Sequence, residues 1–380
     1  MISFASLGLP SSLLDALTRL DYSAPTSIQE KAIPAILSKK DVLGIAQTGS
    51  GKTISYVLPV LMNIRHSKPG NRHVSALVLV PSRELAVQVN EVFRQFAGAL
   101  PQPVKSLAVY GGVSVNPQMI EMQGVEVLVA TPGRLLELVE KKAVHLSRVE
   151  ILVLDEADKM MNLGFRDEMG SIVALLPAKR QNLLFSATLN EVIYSVGEQF
   201  LQDPVVIKAD TPAADISLIT QTAYAVAPEK KGPLLRYLIK HHDMKQVLVF
   251  TSSGYQADNV ADKLRKNGID ARAMHSKLSQ GARTEALNLF KSGKIRVLVS
   301  TDLLARGIDI QFLPHVINYE LPRSPKDYIH RIGRTGRAES PGEAISLVAP
   351  DEEHHFKVIR KKMNTQVELK DGGALDLKGH

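Results

Sequence analysis

Cysteine and tryptophan are absent from this chain of 380 residues, and aromatic residues make up only 5% of it. Without cysteine there are no disulfides, no thiolate nucleophile and no cysteine-held zinc or iron–sulfur centre. No apolar run approaches the roughly 20 residues needed to cross a bilayer. The start, Met1-Ile2-Ser3-Phe4, lacks the charged opening and apolar stretch of a secretory signal, so a cytoplasmic or equivalent compartment is expected. The 11 histidines are scattered, and the pairs His241-His242 and His354-His355 are neighbours without ligand spacing, which argues against a metal site built from side chains alone. What remains is an ordinary globular composition, 44% hydrophobic and 22% charged. At about 150 residues per domain it is long enough for two or three domains.

Charge is unevenly spread. The net charge is +7, yet residues 1–207 carry 19 basic and 19 acidic side chains, so the whole excess lies beyond them. A basic second half suits a polyanionic partner.

Short apolar runs recur: Val42–Ala46, Ala76–Val80, Val125–Ala130, Ile151–Leu154 and Leu183–Phe185, then Val247–Phe250, Ala271–Met274, Val297–Val299, Val316–Asn318 and Ala344–Val348. Their length and β-branched content predict strands buried on both faces of a parallel sheet. Amphipathic stretches such as Arg83–Ala97 and Gly254–Asn267 lie between them as crossover helices. The pattern predicts an α/β chain of two tandem domains, each a mostly parallel sheet flanked by helices, with a cleft between them. The expected limits are 1–208 for the first domain, a proline-containing polar linker over 209–216, 217–365 for the second domain, and a short tail over 366–380. Ligands of such sheets bind beyond the carboxyl ends of the strands.

The residues after those strands carry chemistry. Thr48-Gly49-Ser50-Gly51-Lys52-Thr53 follows the first run and opens a helical stretch. Glycines let successive N–H groups curl around a phosphate chain, Lys52 supplies a point charge, and Thr53 a hydroxyl for Mg2+. Ile151–Leu154 runs into Asp155-Glu156-Ala157-Asp158. There Asp155 is placed to hold Mg2+ through water and Glu156 to orient or deprotonate an attacking water. Ser186-Ala187-Thr188 ends a further strand, with hydroxyls able to bond Asp158.

With these motifs in order, the chain resembles the DEAD-box ATP-dependent RNA helicases of superfamily 2 over nearly its full length. The resemblance also rests on Pro25-Thr26-Ser27-Ile28-Gln29 after Tyr22, Pro81-Ser82-Arg83-Glu84, Gly111-Gly112 and Thr131-Pro132-Gly133-Arg134. In the second half it rests on the segment from Thr301-Asp302 to Gly307-Ile308-Asp309 and on His330-Arg331-Ile332-Gly333-Arg334-Thr335-Gly336-Arg337. Ser82 stands where the family usually has threonine, which keeps the hydroxyl. The stretch Gly111–Gln118 is similar to the bacterial RhlE-type branch.

The resemblance implies an RNA-stimulated ATPase using ATP and Mg2+, which separates short RNA duplexes or remodels ribonucleoproteins as its two domains close. An RNA clamp that does not unwind is the alternative. Tyr22, Thr26 and Gln29 would read adenine, the Gln29 amide pairing with its edge and Tyr22 stacking on its face. Gly307 and Asp309 would complete the nucleotide site, with Arg334 and Arg337 as arginine fingers. Asp158, Ser186, Thr188 and His330 would couple the domains. RNA would lie on Pro81, Arg83, Gly111, Gly112, Thr131 and Arg134 in the first half and on Gln280, Arg283 and Thr301 in the second. Such contacts go to the backbone and carry no base sequence. The helix after Arg134, over Leu135–Lys141, would bend one strand.

Overall fold

The computed structural model describes residues 2–47, 49–64, 72–209, 219–302, 313–336, 342–363, 365–377 and 379. The chain divides into two compact units, Met1–Thr211 and Pro212–His380.

In the first unit seven strands form one parallel sheet: β1 Val42–Ile45, β2 Ala76–Leu79, β3 Ser106–Val109, β4 Val127–Ala130, β5 Ile151–Leu154, β6 Gln181–Ser186 and β7 Val205–Lys208. Their order is β3-β4-β2-β5-β6-β1-β7. Side chains alternate across the sheet, and both faces are covered. Ala76 and Val78 of β2 and Ile151 and Val153 of β5 join one apolar layer, while Leu77, Leu79, Leu152 and Leu154 join the other. Burial on both sides is why these strands read as unbroken apolar runs. The helices Ser27–Leu37, Lys52–Asn63 and Arg83–Ala97 bury residues in the first layer. The helices Pro132–Glu140 and Glu191–Phe200 do so in the second.

The second unit repeats the plan with β8 Ile219–Ala225, β9 Val247–Thr251, β10 Ala271–Met274, β11 Val297–Thr301, β12 His315–Asn318, β13 Gly342–Val348 and β14 Glu368–Asp371. The order is β10-β11-β9-β12-β13-β8-β14, again parallel. Val247 and Val249 of β9 pack to one side, Leu248 and Phe250 to the other.

Each of the ten apolar runs forms a strand, with ends shifted by up to two residues. Four strands lie outside the predicted set: β3, β7, β8 and β14. Three of them are sheet edges, where one side meets solvent or a loop and a continuous apolar run is not required. Strand β14 also falls in the segment expected to be a tail; residues 368–371 pair with 222–225 of β8. The expected linker lies almost wholly outside the described residues.

Because every strand within a unit runs the same way, the segments after β1, β2, β4, β5 and β6 all leave one edge of the first sheet. That single edge brings together residues 46–47, 49–53, 81–83, 131–134, 155–158 and 186–188.

Candidate nucleotide and nucleic-acid site

The phosphate loop is shaped by two glycines, Gly49 at φ 85° and Gly51 at φ 91°. A Cβ on Gly51 would lie 2.4 Å from Gln29 Nε2 and 2.9 Å from Thr26 Oγ1, so backbone angle and space both demand glycine there. Gly51 caps the helix Lys52–Asn63, whose first-turn N–H groups have no partner within the helix. Lys52 is buried, and its Nζ donates to the carbonyl oxygen of Ala46 at 2.7 Å. Thr48 lies outside the described residues.

The adenine-reading residues are bound to this loop. Gln29 is 2% exposed. Its Oε1 accepts from the Thr26 N–H at 2.8 Å and its Nε2 donates to the carbonyl oxygen of Gly51 at 3.2 Å. The Thr26 hydroxyl donates to the carbonyl oxygen of Ser50 at 2.7 Å. The amide expected to pair with the base also braces the loop. One lone pair and one N–H remain on that amide, the number that an adenine edge needs. Tyr22 is 37% exposed, its ring 6.3 Å from that of Phe96.

Strand β5 delivers the acidic cluster. Asp155 is buried; its Oδ2 accepts from the Tyr56 hydroxyl and its Oδ1 from the Glu156 N–H, both at 2.8 Å. Glu156 takes φ 53°, an uncommon angle for a side-chain-bearing residue, and such strain gathers at functional sites. Glu156 Oε1 accepts from Lys159 Nζ at 2.7 Å, while Oε2 is buried with no hydrogen-bond partner. Burial raises the carboxyl's pKa above the usual glutamate range, against the pull of Lys159. Asp158 Oδ2 accepts from the Thr188 hydroxyl at 3.2 Å, and Ser186 Oγ donates to the carbonyl oxygen of Thr188 at 2.8 Å. The bond anticipated between the Ser-Ala-Thr segment and Asp158 is present. Asp158 Oδ1 is also buried without a partner. Buried carboxylate oxygens left bare are costly. A phosphate chain carrying a divalent cation and ordered water is the kind of group that meets this donor and acceptor set.

Two arginines expected to hold RNA, Arg83 and Arg134, meet the loop that carries the glycine pair. Gly112 has φ 76°, and a Cβ there would lie 2.1 Å from the Arg83 guanidinium. Arg134 is 6% exposed; it donates to the carbonyl oxygen of Val113 at 2.7 Å and pairs with Glu137 at 3.0 Å. Its guanidinium therefore props the loop after Gly112. Pro81 and Thr131 are buried at the ends of β2 and β4. The helix expected to bend a strand runs over Pro132–Glu140, starting earlier than expected because Pro132 and Gly133 form its first turn.

In the second unit Gln280 and Arg283 are both buried and bonded to each other; Thr301 ends β11. Arg334 is buried in the turn after the helix Pro325–Ile332, and His330 lies in that helix's last turn. Gly307, Asp309 and Arg337 lie outside the described residues.

Two charged residues of this unit for which no role was expected, Arg331 and Asp302, form an ion pair. Arg331, 2% exposed, donates to both Asp302 oxygens at 2.6 and 2.8 Å, and to Asn318 Oδ1 and the carbonyl oxygen of Glu320 at 3.1 and 2.6 Å. It also lies 4.9 Å from the centre of the Phe250 ring. Both residues stand inside motifs named above, but an ion pair across 29 positions leaves no spacing signal. Asp302→Ala should cost about 3 kcal/mol, because it strands a buried guanidinium, and thermal unfolding measures that loss.

The DEAD/DEAH box helicase family matches residues 26–196, and the helicase conserved C-terminal domain matches residues 230–339. The chain belongs to the DEAD-box helicase family. This DEAD-box chain is 38% identical over 362 residues to the ATP-dependent RNA helicase CshA of Listeria monocytogenes, covering 95% of this chain and 69% of that protein. With the DEAD-box ATP-dependent RNA helicase CshA of Bacillus subtilis it shares 36% over 376 residues, 99% of this chain and 75% of that one. Among solved structures it is similar to Saccharomyces cerevisiae Dbp5 bound to RNA and ADP BeF3. The TM-score is 0.83 at 29% identity, covering 97% of this chain and 95% of that one. A DEAD box protein from Methanococcus jannaschii matches at 34% identity and a TM-score of 0.55, covering 98% of this chain and 99% of that one. The two parallel-sheet units are thus the paired RecA-like domains of this family. Among the described residues no helix is long and apolar enough to cross a membrane.

Proposed function

We propose that this DEAD-box chain is an RNA-stimulated ATPase and ATP-dependent RNA helicase that locally opens short duplexes or remodels ribonucleoproteins. The observation that carries the reading is one sheet edge. It holds a glycine loop leading into a helix N-terminus beside a buried carboxylate, Glu156, whose Oε2 has no hydrogen-bond partner and whose pKa is raised. RNA bound to Dbp5 in a similar fold supports the choice of polyanion.

Lys52 and the N–H groups of residues 49–53 bind the triphosphate. Tyr22 and Gln29 take the adenine, which selects ATP. Thr53 and Asp155 are the residues suited to hold Mg2+, which when bound offsets phosphate charge and lowers the cost of the charge that develops in transfer. Glu156 orients the attacking water and accepts its proton; its raised pKa suits a base working near neutral pH. Arg334 and Arg337 of the second unit supply guanidinium charge for the transferring phosphoryl group. The bond from Thr188 to Asp158 joins the acidic cluster to the end of β6, a route by which nucleotide state reaches the rest of the fold. Turnover therefore requires both units. RNA lies along Pro81, Arg83, Gly111, Gly112, Thr131 and Arg134, with Gln280, Arg283 and Thr301 from the second unit, and is held by its backbone without regard to sequence.

The deciding experiment measures ATPase stimulation by RNA against matched DNA, together with displacement of a short RNA duplex. Stimulation by RNA with displacement is expected. Preference for DNA overturns the substrate, and tight retention without displacement replaces the helicase with a clamp. Gly112→Ala tests the RNA track: left-handed backbone costs about 1 kcal/mol, and the new methyl displaces the Arg83 guanidinium. RNA affinity at fixed salt should fall several-fold in a titration.

A further inference from the structure

Tyr56 belongs to no motif read above, yet it reaches the centre of the site. It lies three residues after Thr53 on the helix Lys52–Asn63, so the two side chains share a helix face. Its hydroxyl donates to Asp155 Oδ2 at 2.8 Å across 99 positions of sequence, and the Thr53 and Glu156 side chains also act on it. Tyr56 is fully buried. Its ring lies 5.3 Å from that of Phe185 and 6.4 Å from that of Phe93. Gly44 makes room for this packing, since a Cβ there would come within 2.5 Å of the Phe185 ring. The ring is therefore held by Phe185 of β6 and Phe93 of the helix Arg83–Ala97, and its hydroxyl has a fixed address. The other Asp155 oxygen accepts the Glu156 N–H at 2.8 Å, so the carboxylate is pinned at both ends.

We propose that the Tyr56 hydroxyl is a positioning residue that fixes the Asp155 carboxylate in the orientation which receives the nucleotide's divalent cation. This rests on the reading of Asp155 as a cation-holding group. A free carboxylate on β5 rotates about its χ2 bond, a broad torsion with little preference of its own. A fixed one meets the hydrated cation without that ordering cost, which is how supporting contacts raise metal affinity. Phenylalanine at position 56 would fill the same space and leave the Asp155 oxygen without its donor.

The test is Tyr56→Phe in the full chain, read by binding of a fluorescent ADP analogue, without hydrolysis, across a Mg2+ titration and in EDTA. The Mg2+ concentration giving half-maximal binding should rise roughly 10-fold, at the low end of what supporting contacts to metal ligands contribute. Binding in EDTA should stay as in the unaltered chain. Placing 4-aminophenylalanine at position 56, which returns a neutral N–H donor, should restore the original Mg2+ dependence. An unchanged half-saturation overturns the proposal, as does an equal loss with and without Mg2+, which marks a purely structural role. Asp155→Asn separates this idea from the reading beneath it. If that variant keeps its Mg2+ dependence, Asp155 is not a cation-holding group. If it loses the dependence and Tyr56→Phe does not shift it, only the role of Tyr56 falls. In the Asp155→Asn background Tyr56→Phe should add nothing.

Discussion

Lys52→Ala is expected to reduce ATP hydrolysis at least ~100-fold and to abolish duplex displacement, while RNA still binds weakly without nucleotide. The ammonium is buried beside the phosphate loop and is held at 2.7 Å by the carbonyl oxygen of Ala46. A backbone carbonyl is a modest partner for a buried cation, and a triphosphate is a far stronger one, so the side chain is placed to exchange the first for the second. Loss of one preorganised donor from such a site costs on the order of 100- to 1,000-fold in turnover. Steady-state hydrolysis with saturating RNA, together with nucleotide binding, measures it. Hydrolysis within a few-fold of the unaltered chain would remove Lys52 from the mechanism.

Glu156→Gln should separate binding from turnover. The amide keeps the size of the carboxyl, so ATP affinity should hold within a few-fold while hydrolysis falls by 100-fold or more, the span attributed to a positioned general base. Stability should move the other way. Burial raises the pKa of this carboxyl, so the folded chain takes up a proton more readily than the unfolded chain. Stability therefore declines as pH rises from the ordinary glutamate value through the raised one, and the penalty persists at neutral pH. A neutral glutamine does not carry that penalty, although it also loses the ion pair with Lys159. The melting temperature at neutral pH should accordingly stay level or rise as activity is lost. In the unaltered chain kcat/KM should fall with acidification through a pKa above the ordinary glutamate range. An acid limb at the ordinary value, or normal hydrolysis by Glu156→Gln, assigns the base elsewhere.

The two variants address one piece of geometry, and its legibility differed from residue to residue. Gly49, Gly51, Lys52 and Asp155 were readable because local chain chemistry governs them: a strand end, a left-handed turn and a helix start lie within a few residues of one another. The bond between Thr188 and Asp158 was anticipated because both residues follow strands of one parallel sheet. Gln29 and Arg134 were read by residue type, which specifies what a side chain can donate or accept but not which group reaches it first. In the fold the first bonds of both go to loop carbonyls, those of Gly51 and Val113. Tyr56 and Arg331 carried no signal, since an aromatic in a helix and an arginine in a basic domain usually mean packing and solvation.

Order along the chain by itself determined the doubly covered parallel sheets, the edge at which the motifs collect and the family to which the chain belongs. Alternating burial and crossover connection are properties of short segments, and short segments are what a sequence displays. Only tertiary structure decided which buried oxygens are paired and which are bare, that Asp302 meets Arg331, and that a tyrosine holds the carboxylate at the end of β5. Those outcomes depend on distances between side chains far apart in sequence. Such distances are set by how the sheet and helices pack, and residue order does not encode them locally.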